Sequence, residues 1–177
     1  MMEPQQEFTM QIGRLSLVPA CARDEAFWLT LRNDPEAVKW SRHPKPITPE
    51  AHHVWFQESL HHPARRLYLA TLLPSMMADA QPIAVGYGRL DRGATHTELS
   101  IVVAANWRTR AIGPKIILML LYAARELHWP SVKAIVHGRN RRSLRLFLRS
   151  GFVVKQHRWI EFRFESPRVR PQERVVI

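Results

Sequence analysis

The stretch from Glu98 to Phe152 limits the fold more than any other part of this 177-residue chain. An apolar strand pattern at Glu98 to Val103 runs into a basic turn, Arg108-Thr109-Arg110-Ala111-Ile112-Gly113, which opens an apolar helix pattern over Ile112 to Leu127. A second strand, Val132 to His137, and an Asn-led helix, Asn140 to Arg149, follow and end in Gly151-Phe152. Small residues at 111 and 113 let the backbone approach a ligand closely, and the unpaired N–H groups of a helix start can point at an anion. Arg108, Arg110 and Lys115 add three positive charges, and Pro114 suits the first helical turn. The turn reads as a phosphate seat and its ligand as an anion.

These residues resemble the GNAT N-acetyltransferases, whose acetyl-CoA signature is Q/R-x-x-G-x-G/A. Here it reads Arg108-x-x-Ala111-x-Gly113. The family's second signature is similar to Asn140-Arg-Arg-Ser143-Leu-Arg-Leu-Phe147-Leu-Arg-Ser-Gly151-Phe152, with its Asn, small residue, aromatic and Gly-Phe in register. Two linked motifs on either side of a strand are far more specific than one basic turn. Ala111 replaces the commoner Gly, a change that is tolerated if its φ is negative. The resemblance implies acetyl-CoA as co-substrate and a cofactor-binding set of Ile101, Val102, Val103, Arg108, Arg110, Ala111, Ile112, Gly113, Pro114, Lys115, Asn140, Ser143 and Phe147.

Acetyl transfer from a thioester needs a deprotonated amine, a cradle for the oxyanion and a proton donor for the thiolate. Glu98 opens the strand that leads into the phosphate turn. Beside Leu99, Ile101, Val102 and Val103, desolvation would make its carboxylate a readier proton acceptor. The resemblance points to the same residue as base; the alternative is a solvated strand-end carboxylate paired with a nearby Arg. The amides of Val102 and Val103 are the implied oxyanion and pantetheine contacts. The family's usual proton donor is a Tyr where this chain has Phe147, so Ser143, another side chain or water must protonate the thiolate, unless an already acidic thiol needs little help. Asn140 is expected to bond the pantetheine arm, to cap its helix, or both.

At 46% hydrophobic residues, 177 positions suit the core of one domain, taken to span 1–177 with loose ends at 1–8 and from 166. Lys and Arg total 26 against 15 Asp and Glu, a net charge of +11 that fits CoA, a nucleotide-linked substrate or nucleic acid. The single Cys21 excludes an intrachain disulfide framework. With no signal-peptide pattern and no apolar run of membrane-spanning length, the expected place is the cytoplasm, with no membrane partner and a homodimer left open.

The remaining pattern gives a strand at Met10 to Val18, a helix at Asp24 to Leu31 broken by Asn33-Asp34-Pro35, a proline-rich loop at Trp40 to Pro49, and a helix from Thr48 to about Leu60. Strands follow at Arg66 to Leu73 and Pro82 to Leu90, joined by a Met-rich turn at 74–81, and two more lie at Phe152 to Gln156 and Trp159 to Phe164. This order is α/β in the α+β sense, a mixed sheet flanked by about four helices, and it matches the GNAT fold that the resemblance implies.

The N-terminal third carries the acceptor reading. Arg32-Asn33-Asp34-Pro35, Trp40 and His52-x-x-Trp55-Phe56 resemble the GNAT branch that acetylates amino groups on nucleotide-activated deoxysugars, the pseudaminic-acid pathway type. Arg32, Asn33, Trp40, His52 and Trp55 are the implied substrate contacts, although Trp55 and Phe56 also fit a helix core and Trp40 fits either packing or a pocket wall. A ribosomal-protein, peptide N-terminal or Lys acetyltransferase is the rival within the class. A rival of another class, an RNA-binding protein, draws on Arg139, Arg141, Arg142, Arg145 and Arg149, but interleaved aromatics for base stacking are missing, so nucleic acid is not expected. His52, His53, His61 and His62 do not read as a metal site, because adjacent residues point to different helix faces and no Cys joins them.

Overall fold

The computed structural model describes residues 9–73, 81–155 and 159–164. The leader at 1–8, the Met-rich turn apart from Gln81, Gln156 and the tail from Ser166 fall outside them. The pattern expected to form one N-terminal strand is a hairpin, β1 (Met10–Ile12) and β2 (Leu15–Pro19). Ile12 pairs with Leu15 across a two-residue turn in which Gly13 takes φ 61, a conformation available at little cost only to glycine.

Three helices follow. α1 (Glu25–Arg32) ends at Asn33, and a short α2 (Pro35–Lys39) starts at once. The sequence reading placed only a break there. Pro35 cannot continue α1, but it suits a first helical position, and Asp34 caps the new helix by accepting the amides of Glu36 and Ala37. α3 (Pro49–His61) is capped by Thr48, whose hydroxyl accepts the Ala51 amide. Then come β3 (Arg65–Leu72), β4 (Ile83–Arg92), β5 (Thr97–Val103), α4 (Ile112–Glu126), β6 (Val132–His137), α5 (Arg141–Arg149), β7 (Val153–Lys155) and β8 (Trp159–Phe164).

The strands form one eight-stranded sheet in the order β1-β2-β3-β4-β5-β6-β8-β7. Every pairing is antiparallel except β5 with β6. One face carries the larger core, in which Leu15, Leu17, Tyr68, Leu90 and Leu99 pack against Ile116, Ile117, Leu120 and Ala123 of α4 and Phe147 of α5. Gly88 admits α4 here, since a Cβ at that position would meet Leu120 at 2.7 Å. The opposite face holds a smaller core of Trp28, Leu31, Phe56, Leu67 and Tyr87 under α1 and α3. α4 is not covered all round as its composition implies, for Leu118 and Tyr122 lie exposed on its outer side. No helix among the described residues is long and apolar enough to cross a membrane.

The parallel junction positions the site. β4 and β5 pair from Gly86↔Val103 to Arg92↔Thr97, whereas β5 and β6 pair only at Thr97↔Val132 and Glu98↔Lys133. Beyond Glu98 the two strands are no longer partners, so among the described residues β5 keeps an edge without a strand partner over 99–103, directly before the basic turn. Backbone donors and acceptors on such an edge need partners from elsewhere.

Candidate active site

The turn after β5 combines strain with unpaired donors. Thr109 and Ala111 both sit in the left-handed region, at φ 66 and 57. Ala111 therefore lacks the negative φ that would make it an easy replacement for glycine, and this conformation costs an alanine about 1–2 kcal/mol. Such strain persists where surrounding structure or function over-determines the backbone. Ala111 heads α4 without a side-chain cap, and the amides of Thr109, Arg110, Ala111, Ile112 and Gly113 have no acceptor among the described residues. A run of unpaired amides at a helix start, with Lys115 exposed and Arg110 stacked 5.2 Å over the Trp107 ring, suits a pyrophosphate.

Two signature residues have other work. Arg108 donates from Nε to the Val103 carbonyl (3.0 Å) and from Nη2 to Asp34 Oδ1 (2.7 Å), so its guanidinium clasps the acceptor-side helix α2 instead of reaching freely for phosphate. Gly113 is small for packing: a Cβ there would lie 3.2 Å from Leu146 Cδ2 of α5 and 3.8 Å from Ile101 Cδ1. It seats α4 against α5, and any room it leaves for a ligand is secondary. Pro114 has no N–H to offer. Phe147 is buried in the main core, edge-on to Phe152 at 5.1 Å. Asn140 caps α5 through its side-chain oxygen, which accepts the Ser143 amide (3.1 Å), leaving the half-buried Ser143 hydroxyl beside the same helix start.

Glu98 and Ser100 alternate with the core-facing Leu99 and Ile101, so they point to the α1–α3 side of the sheet. Glu98 is 19% exposed and forms an ion pair with Arg42 of the loop after α2. The pairing with a nearby Arg named in the alternative reading is present, and the strand neighbours of Glu98 are the charged Asp91 and Lys133. A row of charges crosses the sheet here in register, Arg65↔Asp91↔Glu98↔Lys133↔Arg163.

The residues proposed for the acceptor mostly build its loop. Arg32 Nη2 holds the Ser41 hydroxyl (3.1 Å) and the His43 carbonyl (3.3 Å), and Asn33 exchanges two 2.8 Å bonds with the backbone of Ile47. Asp34 caps α2 and holds Arg108. Partial burial pushes the Asp34 carboxyl up, but the Arg108 guanidinium and the Ala37 and Glu36 amides outweigh that and leave it below the usual carboxylate range. Trp40 donates to Glu36 Oε1 (2.7 Å), lies 5.2 Å from the His137 ring at the end of β6, and carries Lys39 over its own ring. Segment 34–42 thus runs along the unpaired β5–β6 junction, meeting Arg108 at one end and Glu98 at the other. The sequence marks Arg42 and Asp34 as charges of this loop but not their partners Glu98 and Arg108, which lie far away in the chain; Asp34-Pro35 as a cap was the one local signal.

His52 and Trp55 belong to packing. His52 is 1% exposed and stacked on Phe56, and neither ring nitrogen has a hydrogen-bond partner among the described residues. Burial pushes its pKa below the ordinary value, so the ring is held neutral. Trp55 packs on the smaller core, with Arg65 and Arg89 over its ring. Tyr87 stacks on Trp28 at 3.9 Å, and burial pushes its hydroxyl up to about 12. The same region leaves Trp28 Nε1 and Arg32 Nη1 buried without a hydrogen-bond partner among the described residues. His53 is exposed and bonds Glu25, and no group of three or more His, Cys, Asp or Glu among the described residues is arranged to hold a metal ion.

Residues 14–153 match the family model of the acetyltransferase (GNAT) domain. No curated protein sequence matches this one. Among solved structures, a domain from Methanocaldococcus jannaschii DSM 2661 superposes with a TM-score of 0.73 at 17% identity, over 85% of this chain and 97% of that one. Spermidine N-acetyltransferase from Vibrio cholerae, in complex with CoA and spermine, gives a TM-score of 0.71 at 17% identity, over 86% and 94%. A candidate phosphinothricin N-acetyltransferase gives 0.65 at 22% identity, over 84% and 94%. Identities this low speak for the fold alone, but the family model spans both the phosphate turn and the α5 motif, and with them most of the chain. The protein therefore belongs to the GNAT acetyltransferase family and is an acyltransferase.

Proposed function

We propose that this enzyme transfers acetyl from acetyl-CoA to a primary amine on an anionic small molecule, and that the acceptor is a nucleotide-linked amino-deoxysugar. The charge balance of the acceptor loop carries this reading. Its carboxylates Asp34 and Glu36 are already engaged by Arg108, Trp40 and Arg142, while Lys39 and Lys45 are exposed and Arg32 Nη1 is buried without a partner among the described residues. A buried guanidinium nitrogen calls for an oxygen, from water or from a ligand such as a diphosphate. A polycation or a peptide N-terminus would need free carboxylates instead, and the loop offers few. The spermidine preference of the Vibrio cholerae protein is therefore not carried over.

Acetyl-CoA supplies the acetyl group as a thioester. The amides of 109–113 would hold its pyrophosphate, helped by Arg110 and Lys115, and the unpaired edge of β5 at Ile101, Val102 and Val103 would hold the pantetheine arm and the carbonyl oxygen. Glu98 takes the amine's proton, directly or through a water, so that nitrogen can attack. Ser143 or water returns a proton to the sulfur, since Phe147 cannot. The exposed, free Cys21 agrees with a reducing cytoplasm.

Labelled acetyl-CoA incubated with UDP- and dTDP-linked 4-amino-4,6-dideoxysugars, polyamines and peptides with free N-termini tests the acceptor. Turnover of an amino sugar with none of the others is expected. Turnover of peptides or polyamines alone would overturn the acceptor and leave the acyltransferase standing. The exposed arginines of α5 favour a second reading, RNA binding; a raised 260 nm absorbance of the purified protein with salt-sensitive retention would support it.

A further inference from the structure

The ion pair between Arg42 and Glu98 joins an exposed loop to the strand that carries the proposed base, 56 positions away. We infer that this pair determines specificity by exchange: Arg42 leaves Glu98 for an anionic group that the acceptor carries close to its amine, as Glu98 turns to the amine itself. The inference rests on the reading of Glu98 as the group facing the reacting amine.

Glu98 differs from Asp91 in its row and from the nearby Glu161. Asp91 is held by Arg65 and Arg89 from its own sheet face, and Glu161 by Lys133 and Arg163. The Glu98 partner comes instead from a side chain that is 49% exposed. A pair so open to solvent is weak and exchanges readily. It cannot simply be abandoned, though, because an unpaired carboxylate at 19% exposure has lost much of its hydration. An ammonium from the acceptor restores the balance at Glu98 but frees a guanidinium beside a second cation, and an anion on the same acceptor removes that repulsion. Four charges then form two pairs, as before binding.

The loop sets the reach. Ser41 and His43, on either side of Arg42, are tied to Arg32, and Ile47 is tied to Asn33. Exchange is thus a rotation of the Arg42 side chain on an anchored backbone, and its guanidinium can read only a group near Glu98. An open hollow of about 310 Å³ lined by Asp91, Arg92, His96, Glu98 and Lys133 adjoins the Glu98 member of the pair and leaves room for an acceptor beside it. The substrate class is therefore an amine with a carboxylate or phosphate nearby; a neutral amine or a bare polycation leaves Arg42 unmatched.

The test uses amines in matched pairs, amino-sugar 1-phosphates against their methyl glycosides and amino acids against their methyl esters, with labelled acetyl-CoA. In the wild type, kcat/KM should favour the anionic member by at least ~10-fold, the scale of one charge-assisted hydrogen bond. In Arg42→Ala that preference should collapse through KM, and Arg42→Lys should restore part of it. An equal rise in kcat/KM for both members in Arg42→Ala would make Arg42 a mere plug and overturn the inference, as would a preference unchanged by the substitution. Turnover of neutral amines alone overturns it while acetyl transfer stands. Turnover of anionic non-sugar amines alone overturns the nucleotide-sugar reading while the inference stands. Should no pair turn over, calorimetric binding of each pair to the acetyl-CoA-loaded protein decides, and equal affinities overturn the inference.

Discussion

The two ends of the β5–β6 junction are built from different materials. At the proposed cofactor end the binding groups are amides of 109–113, unpaired among the described residues, at the start of α4, and their positions follow from backbone conformation and from the packing of α4 on the sheet. At the acceptor end the groups are side chains: Arg32, Asn33, Asp34 and Arg42 reach 9 to 74 positions along the chain to hold a loop in place. A backbone site tolerates side-chain change as long as φ and packing survive. A side-chain site changes its chemistry with one substitution. The two are not independent, because the Arg108–Asp34 pair fastens one to the other.

The largest effect should come at the acceptor end. Glu98→Gln is expected to lower kcat by roughly 10²-fold or more, the usual worth of a general base, with acetyl-CoA affinity unchanged. Steady-state rates and calorimetry on the same preparation check both halves, and recovery at high pH is expected because the amine then loses its proton unaided. An equal loss of acetyl-CoA binding would dissolve the contrast between the ends.

Gly113→Val probes the cofactor end. The new side chain drives into Leu146, so we expect about 1–3 kcal/mol of destabilisation from overpacking, read from denaturant midpoints, alongside weaker acetyl-CoA binding. Adding Leu146→Ala should recover part of the stability. If affinity returns with it, Gly113 acts through packing; if affinity stays low, the turn itself needs a bare backbone there.

Asp34→Asn cuts the tie between the ends. The loss of a charged hydrogen bond should cost about 1–2 kcal/mol at neutral pH. Because the folded Asp34 pKa lies below its unfolded value near 3.9, the clasp stabilises fully above about pH 4 and loses its contribution as the pH falls through the lowered folded value. The Tm gap between wild type and variant should therefore be widest at neutral pH and close in acid; a constant gap would mean that the carboxylate charge contributes nothing.

The smallest effect is expected at Ala111. Glycine removes the left-handed strain but adds freedom to the unfolded chain, so Ala111→Gly should stabilise by no more than about 1 kcal/mol and leave acetyl-CoA affinity intact. A loss of affinity would show that the alanine holds the amides in place.

Read from residues alone, the cofactor half was largely legible. The apolar helix after a basic turn, the strand that follows and the Asn140 cap are local patterns, set by periodicity and by the hydrogen-bond needs of helix ends. The Gly13 hairpin was missed because a short polar break inside an alternating run resembles a continued strand, and α2 because Asn33-Asp34-Pro35 signals an ending as readily as a start. Only tertiary structure could decide the rest. It put Gly113 against Leu146, turned Arg108 from phosphate to Asp34, buried His52, and brought Arg42 to Glu98. Each is a contact between residues far apart in the chain, and such contacts are set by where the sheet and its helices bring the backbone together, which no local pattern records.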